Sequence, residues 1–364
     1  LNGGGDKDES ATIRMRILFI KPKHIGDSLI LTPTIAAARK AHPAAQIWVM
    51  VRRGCDGILD GCPEIDHILT LAPVEKKERS FLDFWLDLIV LLRLRLVRFD
   101  YVFELGDGHR ARLFALCTWA RRRYSVKPAQ PLKPRELRRF TAVSTFDWEK
   151  CHRIQKDFYS VAEFIDLLLP IPPMRFDRAS TRAWKPGRDL EDFALVQIGG
   201  RQNFNCWNRE GWREVCRGLL ERRGRVIVAC GPVPREIEEV EWLQKELGPR
   251  LLGTQGKASW PEIADLLYRA KLYVGLNTAT MHLAAACGCP VVALFGPSIE
   301  DYWYPWQVPY RIVTSRGYVP PADTARRYEQ VKQRSMNDIH PEDVLAACDE
   351  LTASLAPNPQ FVRS

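Results

Sequence analysis

What most constrains this chain is a rhythm. Short apolar runs rich in β-branched residues, several of them ending at glycine, alternate with longer stretches whose apolar residues recur at helical spacing. Strands separated by helices cannot be joined by tight hairpins. The rhythm therefore calls for parallel sheets with helices packed on their faces, the α/β class. RILFIK (16–21), IWVMV (47–51), HILTL (67–71) and YVFEL (101–105) read as strands, with a helix predicted over about 28–41. The plan restarts with FALVQIGG (193–200), RVIVACG (225–231), KLYVGL (271–276) and PVVALFG (290–296), again interleaved with helical stretches. A last helix is predicted from Pro341 to about residue 356.

Between the two rounds, residues 170–189 (PIPPMRFDRASTRAWKPGRD) hold four prolines and no periodicity, which marks a domain boundary. The expected organisation is a disordered tail at 1–13, a first domain at 14–170 and a linker at 171–190. A second domain then covers 191–340, and a C-terminal helix and tail cover 341–364. With 364 residues, each half is long enough to bury its own core. Two such doubly wound domains face each other across a cleft, with ligands expected at the carboxyl ends of the strands.

No stretch approaches the roughly 18 uninterrupted apolar residues of a bilayer span. The segment FLDFWLDLIVLLRLRLVRF (81–99) reads as a core helix with a basic end rather than a membrane-surface element. Ten cysteines are scattered without a C-x-x-C pair, so reduced, buried thiols of a cytoplasmic protein are expected rather than a disulfide framework or a metal site. The net charge of +9 is uneven. Residues 110–139 carry ten basic side chains against one acid, Glu136, which implies an anionic partner there. Nucleic acid is disfavoured as that partner. No binding module is recognisable, and Trp119 and Tyr124 are the only aromatics well inside the block.

Four strand exits carry the chemistry. KPKHIGDSLILTP places Gly26 and Asp27 where the first strand enters the first helix, with Lys23 and His24 flanking them in positions suited to an anion. On spacing alone Asp27 reads first as an N-cap, and the alternative is a carboxylate aimed into the cleft as a general base. YVGLNTATMHLAAACGCPVVALFGPS opens a helix with Asn277, Thr278, Ala279 and Thr280, with His282 one turn in. Small side chains and free N–H groups there suit a phosphate, although a well-capped helix with a core histidine fits the spacing too. Gly199, Gly200 and Arg201 follow one strand of the second half. Gly231 follows the next, with Glu236 placed to accept hydrogen bonds from ribose hydroxyls. Neither G-x-G-x-x-G nor a phosphate-loop lysine–serine pair follows the first strand, which removes the main support for a dinucleotide-dependent oxidoreductase.

The segments KPKHIGDSLILTP and YVGLNTATMHLAAACGCPVVALFGPS together resemble the two signatures of glycosyltransferase family 9, the ADP-heptose:lipopolysaccharide heptosyltransferases. RQNFNCW and DYWYPW are most similar to the branch that adds later core heptoses. The resemblance implies the GT-B architecture, with acceptor held by the first domain and sugar nucleotide by the second. It implies Asp27 as the base of an inverting displacement, with no metal and no cofactor. It also implies a donor site of Gly26, Gly199, Gly200, Arg201, Glu236, Asn277, Thr278, Ala279 and His282. Lys23, His24, Arg121, Arg122 and Arg123 are the expected acceptor contacts. The expected partners are ADP-heptose, a phosphorylated lipopolysaccharide core and the cytoplasmic face of the inner membrane. Two positions depart from the family pattern: Asn277 stands where relatives carry Asp, and Asn205 where many carry the Lys of a K-x-W element.

Overall fold

The computed structural model describes residues 14–73, 80–200, 206–318, 321 and 324–355. The first half holds strands β1 (Arg16–Ile20), β2 (Gln46–Arg52), β3 (His67–Leu71), β4 (Tyr101–Glu104), β5 (Arg122–Ser125) and β6 (Ala142–Val143). Its helices are α1 (Ile25–Ile30), α2 (Thr32–Ala41), α3 (Phe81–Leu96), α4 (His109–Cys117), α5 (Pro134–Leu137) and α6 (Arg153–Ala162). The second half holds β7 (Ala194–Gln197), β8 (Val226–Ala229), β9 (Leu251–Gly253), β10 (Leu272–Leu276), β11 (Val291–Leu294) and β12 (Tyr310–Val313). Its helices are α7 (Arg209–Arg223), α8 (Pro234–Leu247), α9 (Trp260–Arg269), α10 (Ala279–Ala286), α11 (Glu300–Trp303), α12 (Thr324–Gln333) and α13 (Pro341–Leu355).

Each half forms one six-stranded sheet, ordered 3-2-1-4-5-6 and 12-11-10-7-8-9, and every pairing is parallel. With β7 taken as a first strand, the second order is the first one read backwards, so the two halves share a topology. In both, the order reverses beside the first strand of the half. A crevice opens there at the carboxyl ends because the crossover helices leave to opposite faces.

The predicted single helix over 28–41 is two helices, α1 and α2, and Pro33 explains the break. It has no N–H for the preceding turn, and the Thr32 hydroxyl donates to the Leu29 carbonyl instead, at 2.8 Å. The Pro-rich stretch is not an exposed tether either. Ile171, Met174, Phe176 and Trp184 are buried within a core that contains side chains from both halves. Its backbone is tied to both: Asp177 N–H donates to the Gly61 carbonyl at 2.8 Å and Phe176 N–H to the Ala286 carbonyl at 3.2 Å. None of the ten cysteines is in a disulfide, and six of them are buried.

Candidate active site

Lys21 and Asp27 leave β1 at the carboxyl edge of the first sheet. α1 begins at Ile25, earlier than the sequence suggested, so Asp27 is not its N-cap; His24 is. Asp27 sits at the third helical position, where its Oδ2 accepts a hydrogen bond from the His24 N–H at 3.2 Å. The other oxygen, Oδ1, lies 4.0 Å from the Lys21 ammonium. Lys21 is itself buried and forms an ion pair with Asp157 of α6. Burial raises the Asp157 pKa above the usual carboxylate range, against the pull of Lys21. One buried cation is thus shared between a structural carboxylate and Asp27. Nothing in the local spacing announced Lys21 or Asp157.

Facing this loop is the start of α10. Thr278 is its N-cap, but no side chain caps the helix, so its first-turn N–H groups remain suited to an anion. The two helices meet closely: a Cβ on Gly26 would lie 3.2 Å from His282 Cδ2 and 3.5 Å from Ala279 Cα. Gly26 is therefore a close-approach glycine between the halves. His282 is buried, and its Nδ1 finds no hydrogen-bond partner among the described residues. Asn277 donates from Nδ2 to Ser298 Oγ at 2.9 Å, which ties the β10 exit to the loop after β11.

Glu236, in the first turn of α8, is buried between the exits of β7 and β8. Its Oε2 accepts the Gly231 N–H at 2.7 Å. A Cβ on Gly199 would stand 1.8 Å from that same oxygen. Gly199→Ala is accordingly expected to expel the carboxylate and cost about 1–3 kcal/mol of stability, through loss of its bond to the Gly231 N–H. Urea denaturation measures this, and unchanged stability contradicts the placement. Gly200 lies 3.9 Å, measured from an added Cβ, from Thr278 Cγ2. Beside it opens a pocket of about 530 Å³, bordered by Cys206, Pro297, Lys332, Arg334 and Asn337, none of which the sequence had singled out. Arg201 and Asn205 lie outside the described residues.

Lys23 and His24 stay at the cleft, in the turn that leads into α1. Arg121, Arg122 and Arg123 do not. β5 begins at Arg122, so these residues stand at the amino edge of a parallel sheet whose carboxyl edge carries Asp27. They therefore do not join Lys23, His24 and Asp27, with which the sequence reading grouped them, since charge says nothing of sheet edge. Other cations lie at the edge that carries Asp27. Lys156 of α6 is mostly buried, 3.9 Å from Asp107 and 3.8 Å from the Trp148 ring centre. Burial and the neighbouring Lys23 charge bring its pKa down to about 8. Arg153 lies 3.9 Å over the ring of Tyr302, so the base of α6 is joined to the second half.

His152 completes this join. Its Nδ1 accepts the Ile154 N–H at 3.1 Å, which leaves Nε2 to donate to the Tyr304 carbonyl at 3.0 Å. Burial lowers the pKa of His152 to about 3 and that of His282 to about 4, from an ordinary 6.5. Between pH 6.5 and 4 the unfolded chain therefore binds protons that the folded chain refuses, so stability falls as pH falls through that window. The two residues together contribute several kcal/mol at neutral pH that acid removes. Urea midpoints are expected to drop from pH 7 to pH 4.5, less steeply for His152→Gln. Equal slopes for variant and wild type contradict the assignment.

The profile of glycosyltransferase family 9 (heptosyltransferase) matches residues 90–332. The chain is 26% identical over 352 residues to lipopolysaccharide heptosyltransferase 3 of Escherichia coli (strain K12), covering 92% of this chain and 98% of that protein. It is 24% identical over 365 residues to lipopolysaccharide heptosyltransferase 2 of Salmonella typhimurium, covering 91% and 97%. Among solved structures, E. coli heptosyltransferase WaaC with ADP superposes with a TM-score of 0.74 at 16% identity, over 93% of this chain and all of that one. A family 9 glycosyl transferase from Veillonella parvula gives 0.75 at 17% identity, over 93% and 97%. Two parallel sheets facing across a cleft, a carboxylate on one side and an uncapped helix start on the other, agree with these likenesses: the chain belongs to glycosyltransferase family 9, the heptosyltransferases.

Proposed function

We propose that this glycosyltransferase moves L-glycero-D-manno-heptose from its ADP conjugate to the phosphorylated inner core of lipopolysaccharide. It would do so with inversion, at the cytoplasmic face of the inner membrane. The observation that carries the reading is the juxtaposition of Asp27 with the start of α10. In the proposed step Asp27 Oδ1 takes the proton of the attacking acceptor hydroxyl. The acceptor oxygen bonds to the anomeric carbon as the bond to ADP breaks, and the electron pair leaves with the diphosphate. The first-turn N–H groups of α10 and an N–H of neutral His282 stabilise that developing charge, strongly because water is excluded from a buried site. Glu236 holds ribose hydroxyls, while Gly26, Gly199, Gly200, Asn277, Thr278 and Ala279 leave room for the nucleotide and its sugar.

The first half holds the acceptor in this reading, through Lys23, His24, Lys156 and Arg153, and the second half holds the donor. Support comes from the relatives' names, which specify lipopolysaccharide heptosyltransferases, and from solved WaaC complexes with ADP and with ADP-2-deoxy-2-fluoro heptose. The test is purified protein with ADP-heptose and core acceptor lacking the outer heptose. ADP release together with a heptose-sized mass gain on the acceptor is expected. Tight binding of ADP-heptose without any release marks a binding protein and overturns the proposal.

A further inference from the structure

The sequence reading of 81–99 as a core helix fails, and the failure is informative. α3 turns its two carboxylates inward and its apolar residues outward. Asp83 pairs with Arg53, and Asp87 accepts from Arg110 at 2.5 Å and from the Ala72 N–H at 3.0 Å. With half-buried Val90 and Leu91 and buried Leu94, these residues form the one narrow stripe that seats the helix. Around the rest of the helix Phe81 (77% exposed), Leu82 (70%), Phe84 (65%), Ile89 (57%), Leu92 (55%) and Leu96 (83%) face outward. Trp85 is also exposed, and Leu113 of α4 and Trp119 just beyond it extend the same apolar surface. So large a contiguous apolar area signals a binding surface.

The charges on that surface are of one sign. Arg93, Arg95 and Arg98 cluster at the C-terminal end of the helix. Arg121 joins them there, its N–H donating to the Phe99 carbonyl at 2.8 Å. Both acids of the segment are used up inside. Among the described residues no helix is long and apolar enough to cross a membrane, and α3 with its 16 residues is only about 24 Å long. An in-plane element with aromatic and aliphatic side chains in the acyl boundary and arginines at the headgroups meets these facts.

We propose that α3 is an in-plane membrane anchor that docks the first half on an anionic phospholipid bilayer, apolar face down and arginine cluster against the headgroups. This rests on the reading of a membrane-borne acceptor and names the surface that reading needs. Helices of a doubly wound domain run antiparallel to its strands, so the Phe81 end lies at the same sheet edge as Asp27. Docking along α3 brings the cleft rim to the lipid surface, where a lipid-anchored acceptor presents its sugars.

The test is co-sedimentation of the full chain with vesicles of phosphatidylcholine alone and with 30% phosphatidylglycerol. Binding to the anionic vesicles is expected, and it weakens with salt. Arg95→Gln, Arg98→Gln and Arg121→Gln together are expected to reduce it roughly 100-fold, at about a factor of five per arginine. Leu82→Ser, Trp85→Ser and Ile89→Ser together are expected to abolish it, while transfer to a deacylated, soluble acceptor continues at the wild-type rate. Absence of wild-type binding overturns the proposal. So does binding that the serine set leaves intact, or a dimer in solution that the same set disperses. Vesicle binding without any transfer to the soluble acceptor instead contradicts the proposed reaction and leaves the anchor standing.

Discussion

Asp27→Asn is expected to lower ADP release about 10³-fold while ADP-heptose still binds with an affinity within about threefold of wild type. The asparagine is isosteric, and its carbonyl oxygen still accepts the His24 N–H that the native Oδ2 accepts at 3.2 Å, so α1 keeps its start. What it loses is the capacity to take a proton. General-base contributions fall in the range of 10²–10⁴ in rate, which sets the expected size. Donor affinity is spared because the proposed donor contacts lie on the other side of the cleft, at α10 and α8. Steady-state ADP release and calorimetry on one preparation separate the two effects. Turnover within tenfold of wild type removes Asp27 from the reaction. A large loss of donor affinity would mean instead that its charge serves the nucleotide.

Where the fold was legible, the reason is local. β1, β2, β3, β4, β7, β8, β10 and β11 are apolar runs that only buried parallel strands require, and each lies within a residue or two of its expected bounds or inside them. The missed strands are those where that signal fails. β5 is Arg-Arg-Tyr-Ser, β6 has two residues and β9 three, and the half-buried edge strand β12 opens with Tyr310 and Arg311.

The site divides the same way. Gly26, Asp27, Gly199, Thr278 and His282 stand at strand exits, which sequence marks directly. Lys21 and Asp157 are 136 positions apart and meet only because α6 packs across β1, which no spacing encodes. The error over α3 has a related origin. An apolar helix carrying two aspartates is expected to bury its leucines and expose its acids. Here Arg53 and Arg110 wait on the body of the protein and reverse that choice. Long-range partners of this kind decided both the unseen Lys21–Asp157 pair and the misread face of α3.

The same pair sets the second large effect. Lys21→Met is expected to cost about 3–5 kcal/mol at pH 8, the range for removing one partner of a buried ion pair. Asp157 is fully buried and its pKa already lies above the carboxylate range with Lys21 present. Without the ammonium that pKa rises further, and the folded chain takes up a proton that the unfolded chain, with an ordinary carboxyl, does not hold until lower pH. The variant therefore regains stability relative to wild type as pH falls from 8 toward 5, opposite in sign to the histidine effect. Lys21→Met combined with Asp157→Asn removes both charges and is expected to restore more than half of the loss. Activity should stay low in that double variant, because Asp27 Oδ1 has lost the ammonium 4.0 Å away that helps hold it in place. Urea denaturation at pH 5 and pH 8, with ADP release alongside, reads both outcomes. A single-variant cost below about 1 kcal/mol, or no pH dependence in the difference, would show that the pair does not hold α6 to the end of β1.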